Sequence, residues 1–234
     1  MIGAIKKNDK SGRNVITGLM FALILLSCHA QTCAQSHAWS LARIHYRGGG
    51  DWYSDPSCLP NLCRFIRENT SLQMSEERVE VTLLDDRLFS YAFLFLTGHG
   101  RIVFNREEAG RLRKYLLSGG FLFADDDYGM NAHFRSAMKS VFPERELAEL
   151  PFSHGIYNIQ FTFPDGLPKI HEHDNKPPQG FGLFDDGGRL MVFYSYESNI
   201  SDGWVDAQVY SDPEEKRMAA LRMGANIVVW AFTQ

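Results

Sequence analysis

Three consecutive aspartates, Asp125-Asp126-Asp127, are the strongest candidate for chemistry in this sequence of 234 residues. They follow the apolar run Phe121–Ala124, which is typical of a buried strand, so we expect them in a turn at the carboxyl end of that strand. Like charges this close raise a carboxyl pKa or recruit a counter-ion, which would suit a general base or a cation site. The alternative is a capping cluster, in which one aspartate binds turn amides and the others are solvated. Tyr128 follows directly.

His99 stands between two glycines, after the apolar run Tyr91–Thr97. Glycines at such a point let a substrate or an ion approach the backbone. We expect His99 to neighbour the aspartates, because the carboxyl ends of parallel strands meet at one edge of a sheet. The candidate catalytic residues are therefore Asp125 and Asp126 as bases, with His99 as their partner. The alternative is a turn histidine packed on a helix.

A glycine-rich loop, Gly48-Gly49-Gly50-Asp51-Trp52-Tyr53, follows a first predicted strand at Leu41–Tyr46. Its amides could cradle an anion, but it lacks the lysine of a phosphate-binding loop. Trp52 and Tyr53 suit stacking on a sugar ring. The loop therefore contributes five candidate ligand-binding residues: Gly49, Gly50, Asp51, Trp52 and Tyr53.

The segment His171-Glu172-His173-Asp174 consists of residue types that commonly ligate metal ions. In a strand, His171 and His173 would share one face and could bind zinc or a similar divalent ion. It is not the helical His-Glu-x-x-His arrangement, and a polar loop covering the edge of the site is the favoured alternative. Beyond this divalent metal, the sequence leaves the cofactor unknown.

Further candidates for the walls of the site are Asp127, Tyr128, His154 and Glu197. The role of His154 is left open between structure and ligand binding. Glu197 follows a predicted buried strand, Leu190–Ser195. For Glu197 and its neighbours Ser201, Asp202 and Trp204, loop and cap chemistry is favoured over a place in the cleft.

Strands alternate with helices along the chain, which predicts an α/β protein with a doubly wound, mostly parallel sheet. Asn105 and Glu108 have the spacing of a capping box, and Asn131 is predicted to cap a short helix. Ile159–Phe163 alternates like a strand. Asp185-Asp186-Gly187-Gly188 predicts the turn of a C-terminal β-hairpin.

The N-terminus has the pattern of an export signal, with four basic residues before the apolar run Val15–Leu26. Two processing outcomes compete. Leu25-Leu26-Ser27-Cys28 resembles a lipobox, which would leave Cys28 lipidated and tether the protein to a membrane, and this outcome is slightly favoured. Cleavage after Ala34 by ordinary signal peptidase is the alternative. We therefore expect a signal in residues 1–34, a single domain in residues 39–234, and a periplasmic or membrane-anchored lipoprotein.

Charge and cysteine usage exclude two classes of protein. Residues 1–27 carry four basic residues and one acidic residue, so their removal changes the formal net charge from −4 to −7. No cluster of Lys and Arg survives, which argues against nucleic-acid binding. The four cysteines are too few for a disulfide framework, and Cys58 and Cys63 are predicted to be buried free thiols.

Several long motifs carry a family resemblance that covers Trp39 to Thr233. They are FLFLTGHG, RLRKYLLSGGFLFADDDYGM, LPKIHEHDNKPPQGFG and FYSYESNISDGW. On them the sequence is identified as a member of an exported bacterial family, the domain of unknown function (DUF) 4159. The resemblance implies an exported domain and no established activity.

A more distant resemblance links the chain to trehalose-utilisation-like proteins, which share the class I glutamine amidotransferase-like fold. It rests on a short set of counterparts: Gly119-Gly120-Phe121, His154-Gly155-Ile156, Gly188-Arg189, Phe193-Tyr194 and Trp230. The resemblance implies a flavodoxin-like sheet. Such amidotransferases carry a nucleophilic cysteine where this chain has Asp125 to Asp127, and Ser195-Tyr196-Glu197 lacks their histidine. Thiol-based amide hydrolysis is therefore not expected.

These residues predict a domain that binds a small polar ligand, such as a carbohydrate, in a cleft at the strand ends. Two alternatives remain open. One is a hydrolase or isomerase that uses a carboxylate and a histidine, with or without a metal ion. The other is a structural partner of other proteins in an envelope complex.

Overall fold

A computed structural model of the protein describes residues 1, 3 and 38–234. Its helices and strands are, in chain order, β1 (Ala42–Ile44), α1 (Cys58–Asn69), β2 (Val79–Val81), β3 (Phe93–His99), α2 (Arg106–Leu117), β4 (Phe121–Tyr128), α3 (Asn131–Val141), β5 (Ala148–Glu149), β6 (Gln179–Phe184), β7 (Leu190–Tyr196) and α4 (Glu214–Thr233). Short 3-10 helices lie at Asp86–Ser90, Gly155–Tyr157 and Ile200–Trp204.

The strands form one mixed sheet in the order β2-β1-β3-β4-β7-β6-β5. The first five strands in this order run parallel to one another, and β6 is antiparallel to both of its neighbours. The predicted α/β class with a mostly parallel sheet is confirmed. The predicted hairpin is also confirmed, because β6 and β7 pair across the turn that contains Gly188.

Alternating side chains on the central strands build two separate cores. On β3, Phe93 and Phe95 point to one face and Leu94 and Leu96 to the other, and β4 repeats this pattern. The Phe95 ring stacks on Phe123 of β4 at 5.7 Å. Helices α1 and α4 cover the phenylalanine face, whereas α2 and α3 cover the leucine face. A strand buried on both faces has this continuous apolar sequence.

Close packing holds the 3-10 helix Ile200–Trp204 under α4. Trp204 is fully buried, and its indole nitrogen donates to the carbonyl oxygen of Ala220 at 2.8 Å. A Cβ atom on Gly224 would lie 2.7 Å from both the Trp204 ring and Leu62. Glycine is therefore required where α4 approaches this ring, and the close contact fixes the segment that follows β7.

The strand predicted at Ile159–Phe163 is wrong. Residues 159–161 form bends, and residues 162–163 have no regular secondary structure. The amides of Gln160 and Phe161 donate to the side-chain oxygen of buried Asn226, and the Asn226 amide donates back to Phe161. One side chain therefore satisfies the backbone groups that a neighbouring strand would otherwise satisfy.

The turn predicted at Asp125-Asp126-Asp127 is also wrong, because β4 continues through all three aspartates to Tyr128. Asn131 is not a cap either. The N-cap position of α3 is Met130, which makes no side-chain cap bond. The Asn131 oxygen instead accepts hydrogen bonds from Arg135 and Tyr194. The Asn131 side chain thereby joins α3 to β7.

Two further predictions concern the cysteines and the N-terminal signal. Cys58 and Cys63 are buried free thiols on α1, as predicted. The predicted signal, with Cys28 and Ala34, lies outside the described residues and stays a prediction. Within the described part of the chain, no helix combines the length and apolarity needed to cross a bilayer.

Candidate functional site

Asp125 joins three elements at the carboxyl end of the sheet. Its carboxylate is fully buried and accepts hydrogen bonds from the hydroxyl of Ser195 on β7 and from the amide and hydroxyl of Ser201, the last two at 2.7 Å. Burial raises the pKa of Asp125 to about 6, although these three donors act in the opposite direction. The carboxylate thereby ties β4 to β7 and to the segment that carries Asp202.

Strand alternation separates the three aspartates onto the two faces of β4. Asp125 and Asp127 point to the phenylalanine face, whereas Asp126 points to the leucine face. Asp126 accepts from the Met130 amide at 3.0 Å and from the Tyr194 hydroxyl at 2.9 Å. Burial raises its pKa. The two faces therefore build two different sites.

On the leucine face, Asp126 reaches a cleft of about 330 Å³, which we call the strand-end cleft. The half-exposed ring of Tyr128 stacks on His173 at 4.5 Å along one wall. The cleft thus brings together four predicted site residues: Asp126 and Tyr128 of β4, His173 of the 171–174 loop, and Glu197 directly after β7. The full lining is Asp126, Tyr128, Gly129, Asn131, Ala132, His173, Asp174, Tyr196 and Glu197.

Lysines offset the negative charge of two carboxylates in the strand-end cleft. Glu197 is buried and lies 3.3 Å from the Lys169 ammonium. Asp174 lies 3.2 Å from Lys176, which also donates to the Tyr196 hydroxyl at 2.9 Å. The cleft therefore presents acceptor oxygens and aromatic rings without a large net charge.

On the phenylalanine face, three carboxylates meet in a group that we call the acidic centre: Asp55, Asp127 and Asp202. One oxygen of each lies within 4.8 Å of the other two. The residues are 7%, 1% and 3% exposed, respectively. Burial raises the pKa of Asp127, and the neighbouring charge of Asp202 raises it further. Burial likewise raises the pKa of Asp55.

Asp55 reaches this position through a loop that Arg43 organises. Arg43 is buried on β1, and its guanidinium donates to the carbonyl oxygens of Trp52 (2.8 Å), Ser54 and Asp55 (3.0 Å). It also contacts the Cys58 sulfur at 2.9 Å. Five donors in a rigid fork suit a guanidinium for this task. Arg43 therefore shapes the backbone that presents Asp55.

Left-handed backbone marks the same region. Asp55, Glu197 and Asn199 have φ angles of 53°, 58° and 54°. Non-glycine residues rarely adopt this conformation, and it costs about 1–3 kcal/mol where it occurs. All three flank the acidic centre or the strand-end cleft, so the surrounding contacts compensate this strain at the candidate site.

His99 and Asp51 form a pair beside the acidic centre. The His99 side chain is 50% exposed, and its Nδ1 lies 3.0 Å from Asp51 Oδ2 and 3.3 Å from Asp127 Oδ2. Its backbone amide also donates to Asp51. Asp51 therefore orients the imidazole. The expected proximity of His99 to the aspartates of β4 is confirmed, with Asp127 as its neighbour.

The remainder of the glycine-rich loop lies outside the strand-end cleft. The Trp52 ring stacks on His45 at 4.0 Å and packs against the leucine-face core, while Tyr53 is exposed. Gly49 has φ 92°, and a Cβ on Gly50 would lie 2.7 Å from the His99 carbonyl oxygen. These glycines let the loop pass close to the end of β3.

His154 is not brought to the carboxyl edge. Its ring accepts from the Ile156 amide at 3.2 Å and packs on Trp230 and Phe184. Phe184 pairs with Leu190 at the start of β7, which is the opposite edge of the sheet. His154 therefore begins a short 3-10 helix far from the predicted cleft.

His171 and His173 do not converge on a shared ligand position. Their segment forms bends, as in the favoured polar-loop alternative, and not the strand in which the two rings would share one face. The ring nitrogens of His171 lie 2.7 Å from Asp202 and 3.0 Å from Asp212, and the hydrogen bond to Asp202 raises its pKa. His173 instead contacts Asn199 at 2.9 Å. Both nitrogens of His171 face carboxylates, so each is placed to donate a hydrogen bond. Metal binding by these two histidines stays a prediction.

Sequence reasoning missed Arg43, Asp55 and Asn199. A lone arginine inside a predicted strand was the one available signal for Arg43, because a buried guanidinium requires several acceptors. Nothing local distinguishes Asp55 or Asn199 from ordinary turn residues. Asp202 was noted, but loop chemistry was favoured for it.

A family model described as "Domain of unknown function (DUF4159)" matches residues 40–232. No curated protein matches the chain. The match spans nearly all of the described residues and carries no activity with it.

Replacing Arg43 tests its role in presenting Asp55. Arg43→Met leaves three carbonyl oxygens without their donor, so we expect a loss of about 2–4 kcal/mol in unfolding free energy, measured by urea denaturation. Arg78→Met, at an exposed position beside β2, is the matched control and should change stability by less than about 0.5 kcal/mol. Equal effects of the two substitutions would contradict the assignment.

The raised carboxyl pKa values predict a pH dependence of stability in chelator-treated protein. A raised folded-state pKa means that the native state binds protons more tightly, so stability falls as pH rises from about 4 through the folded-state values. For Asp125 this window runs from its ordinary value of 3.8 to about 6. We expect a lower urea midpoint at pH 7.5 than at pH 5.

The variant Asp127→Asn tests how much the acidic centre contributes to this pH dependence of stability. The variant removes one carboxyl whose pKa is raised, so its midpoint should depend less on pH than that of the wild type. Unfolding measured every half unit from pH 4.5 to 8 gives the two slopes. Parallel curves for wild type and variant would argue against a raised pKa at Asp127.

Proposed function

Because the chain belongs to the DUF4159 family, whose description assigns no activity, we propose its function from the site itself. The protein binds a small, neutral, hydroxyl-rich ligand of about the size of one sugar ring in the strand-end cleft. The observation that carries this proposal is the convergence of Asp126, Tyr128, His173 and Glu197 in one cleft. These residues come from three separate segments of the chain.

The dimensions and position of the cleft support a small ligand. Its volume of about 330 Å³ lies at the lower end of the range of ligand pockets. It opens at the carboxyl edge of a mostly parallel sheet, where ligands of α/β proteins commonly bind. A single ring fits such a space better than an extended polymer does.

The chemistry of the lining supports a neutral ligand. Tyr128, His173 and Tyr196 supply aromatic surface, and Asp126 and Glu197 supply carboxylate acceptors. Nearby lysines compensate the charge of Glu197 and Asp174. A cationic ligand would have to compete with these lysines, whereas hydroxyl groups can donate to the remaining lone pairs.

The proposal also includes the more distant fold relation that the sequence predicts. A relation to the class I glutamine amidotransferase-like fold is supported by the parallel order β2-β1-β3-β4 and by a candidate site at the end of β4. In that relation, Asp125 to Asp127 occupy the place of the nucleophilic cysteine. The fold would be kept without the thiol chemistry.

A ligand screen tests the proposal. We expect at least one neutral sugar or polyol to raise the melting temperature of the full chain saturably, because a ligand that binds only the native state stabilises it by mass action. Tyr128→Ala should weaken that ligand about tenfold by calorimetry, since a stacked ring is lost. Glu197→Gln should weaken it by removal of a charged acceptor.

Tyr53→Ala is the matched control for the loss of an exposed tyrosine. Tyr53 is 65% exposed and lies outside the strand-end cleft. Its replacement should leave the affinity unchanged. A loss of affinity in Tyr53→Ala but not in Tyr128→Ala would move the site to the glycine-rich loop. A screen in which only cationic or anionic compounds bind would reject a neutral ligand.

The pair formed by Asp51 and His99 favours a second candidate function, a hydrolase with a histidine base. Asp51 orients the ring through Nδ1, and across residues 38–234 no hydrogen bond reaches Nε2. A carboxylate-oriented, half-exposed histidine has the arrangement of a general base. This candidate agrees with the predicted partnership of His99 with the β4 aspartates.

A panel of chromogenic glycosides and esters tests the second candidate. We expect turnover that falls at least about 100-fold in His99→Gln, because a lost general base costs about 10²–10⁴ in rate. His133→Gln, an exposed histidine on α3, is the control and should keep the rate. An equal rate in wild type and His99→Gln would remove His99 from any mechanism, and no turnover of any substrate would reject the hydrolase.

A further inference from the structure

The acidic centre gathers three carboxylates from distant parts of the sequence. Asp55 precedes α1, Asp127 lies near the end of β4, and Asp202 lies in the 3-10 helix Ile200–Trp204. One oxygen of each lies within 4.8 Å of the others, and all three residues are more than nine-tenths buried. Buried like charges at this separation repel strongly, so the native state requires either protons or a cation among them.

Each of the three carboxylates is held in place through one oxygen. Asp55 Oδ1 accepts from the Tyr210 hydroxyl at 3.0 Å. Asp127 Oδ1 accepts from Asn199 Nδ2 at 3.0 Å. Asp202 Oδ2 accepts from the same Asn199 nitrogen at 3.2 Å and from His171 at 2.7 Å. Outer hydrogen bonds of this kind orient carboxylates that ligate metal ions.

The second oxygen of each carboxylate is buried and lacks a donor. Asp55 Oδ2, Asp127 Oδ2 and Asp202 Oδ1 have no hydrogen-bond partner among the residues that the structure describes. Buried polar atoms are nearly always paired in native proteins, so each such atom requires an explanation. Three of them, one on each member of a single cluster, indicate a ligand that accepts electron pairs from all three.

Among the described residues, no lysine or arginine forms an ion pair with the carboxylates of the acidic centre, although the charge of Arg43 acts on Asp55. Within residues 38–234, neither a lysine nor an arginine head group lies within 4 Å of these carboxylates. Two histidines contact the acidic centre: His171 Nδ1 lies 2.7 Å from Asp202 Oδ2, and His99 Nδ1 lies 3.3 Å from Asp127 Oδ2. Arg43 donates to backbone carbonyls near Asp55 rather than to its carboxylate. A divalent cation would supply the missing charge.

We infer that Asp55, Asp127 and Asp202 bind a hard divalent cation, of the class of Mg²⁺, Mn²⁺ and Ca²⁺, through their three unpartnered oxygens. Carboxylate oxygens are the ligands that these ions prefer. Ligands on opposite sides of an ion are separated by about 4.2 Å for Mg²⁺ and about 4.8 Å for Ca²⁺, twice the usual bond length. One oxygen of each residue lies within 4.8 Å of the other two, a limit that equals the Ca²⁺ span and exceeds the Mg²⁺ span, so the larger ion fits better.

The donor set disfavours zinc. Zinc sites in proteins are built mainly from cysteine sulfur and histidine nitrogen. Both ring nitrogens of His171 face carboxylates, and the Cys58 sulfur contacts the Arg43 guanidinium. Neither side chain is free to ligate an ion at the acidic centre.

The cation site is separate from the strand-end cleft. Asp127 points to the phenylalanine face of β4, whereas Asp126 points to the cleft on the leucine face. Half-exposed His99 and Asp51 lie beside Asp127 Oδ2 and mark the side from which an ion would enter. The inference therefore stands or fails independently of the ligand proposed for the cleft.

Titration of chelator-treated full chain tests the site. Calorimetry with Ca²⁺, Mg²⁺ and Mn²⁺ separately, with Zn²⁺ as comparison, should show saturable binding of one ion per chain for at least one of the first three. The bound ion should also raise the melting temperature. Asp127→Asn and Asp202→Asn should each weaken binding at least tenfold and abolish the thermal shift, because a charged ligand becomes neutral.

Asp126→Asn is the matched control, since it removes a neighbouring buried carboxylate from the opposite face of β4. It should keep the cation affinity within about twofold. Circular dichroism of each variant confirms that it is folded, and Asn199→Gly, which tolerates the left-handed backbone, should weaken binding about 10- to 100-fold by releasing the two carboxylates that Asn199 orients.

Three results would overturn the inference. The first is the absence of saturable binding of any hard divalent cation to the folded wild type. In that case protons alone would relieve the repulsion among the three carboxylates. The second is equal affinity in wild type, Asp127→Asn and Asp202→Asn. The third is binding of Zn²⁺ alone.

Discussion

The buried carboxylate of Asp125 is the interaction on which the candidate site depends. It accepts from Ser195 on β7 and twice from Ser201, so it joins two neighbouring strands to the segment that follows them. That segment is held from the other side by Trp204, whose ring packs under α4 and donates to Ala220. Because both ends are fixed, Asn199 and Asp202 are placed against Asp127. A hydrophobic residue at position 125 could fill the space, but it could not direct the Ser201 amide.

Strand alternation then gives one short acidic sequence two different surroundings. Asp126 belongs to a polar cleft with aromatic walls, and Asp127 belongs to a buried group of carboxylates on the opposite face. The segment after β7 serves both faces, because Glu197 lines the cleft and Asn199 binds Asp127 two residues later. Both residues have a left-handed backbone. One short segment of strained backbone therefore contributes a residue to each of the two faces.

Much of the scaffold could be predicted from the sequence because its signals are local. The capping box of Asn105 and Glu108 begins α2 as its spacing indicated. The apolar runs of β3 and β4 are buried on both faces, and Asp185 to Gly188 turn between paired strands. Prediction failed at Ile159–Phe163, where Asn226 from the last helix satisfies the backbone in place of a strand. No local pattern contains information about a partner that lies 65 residues away.

The sequence by itself determined the α/β class, the order of helices and strands through α3, and the edge at which the polar residues of β3 and β4 collect, since periodicity and turn chemistry act over a few residues. Only the tertiary structure decided which carboxylates meet. It extended β4 through the aspartates, buried all three, and brought Asp55 and Asp202 to Asp127 from loops that look like ordinary turns. It also gave His171 and His173 different hydrogen-bond partners and left His154 at the other edge of the sheet. The reason is that burial and pairing of charges depend on contacts between distant segments, and these contacts exist only after the sheet and its two helical layers have assembled.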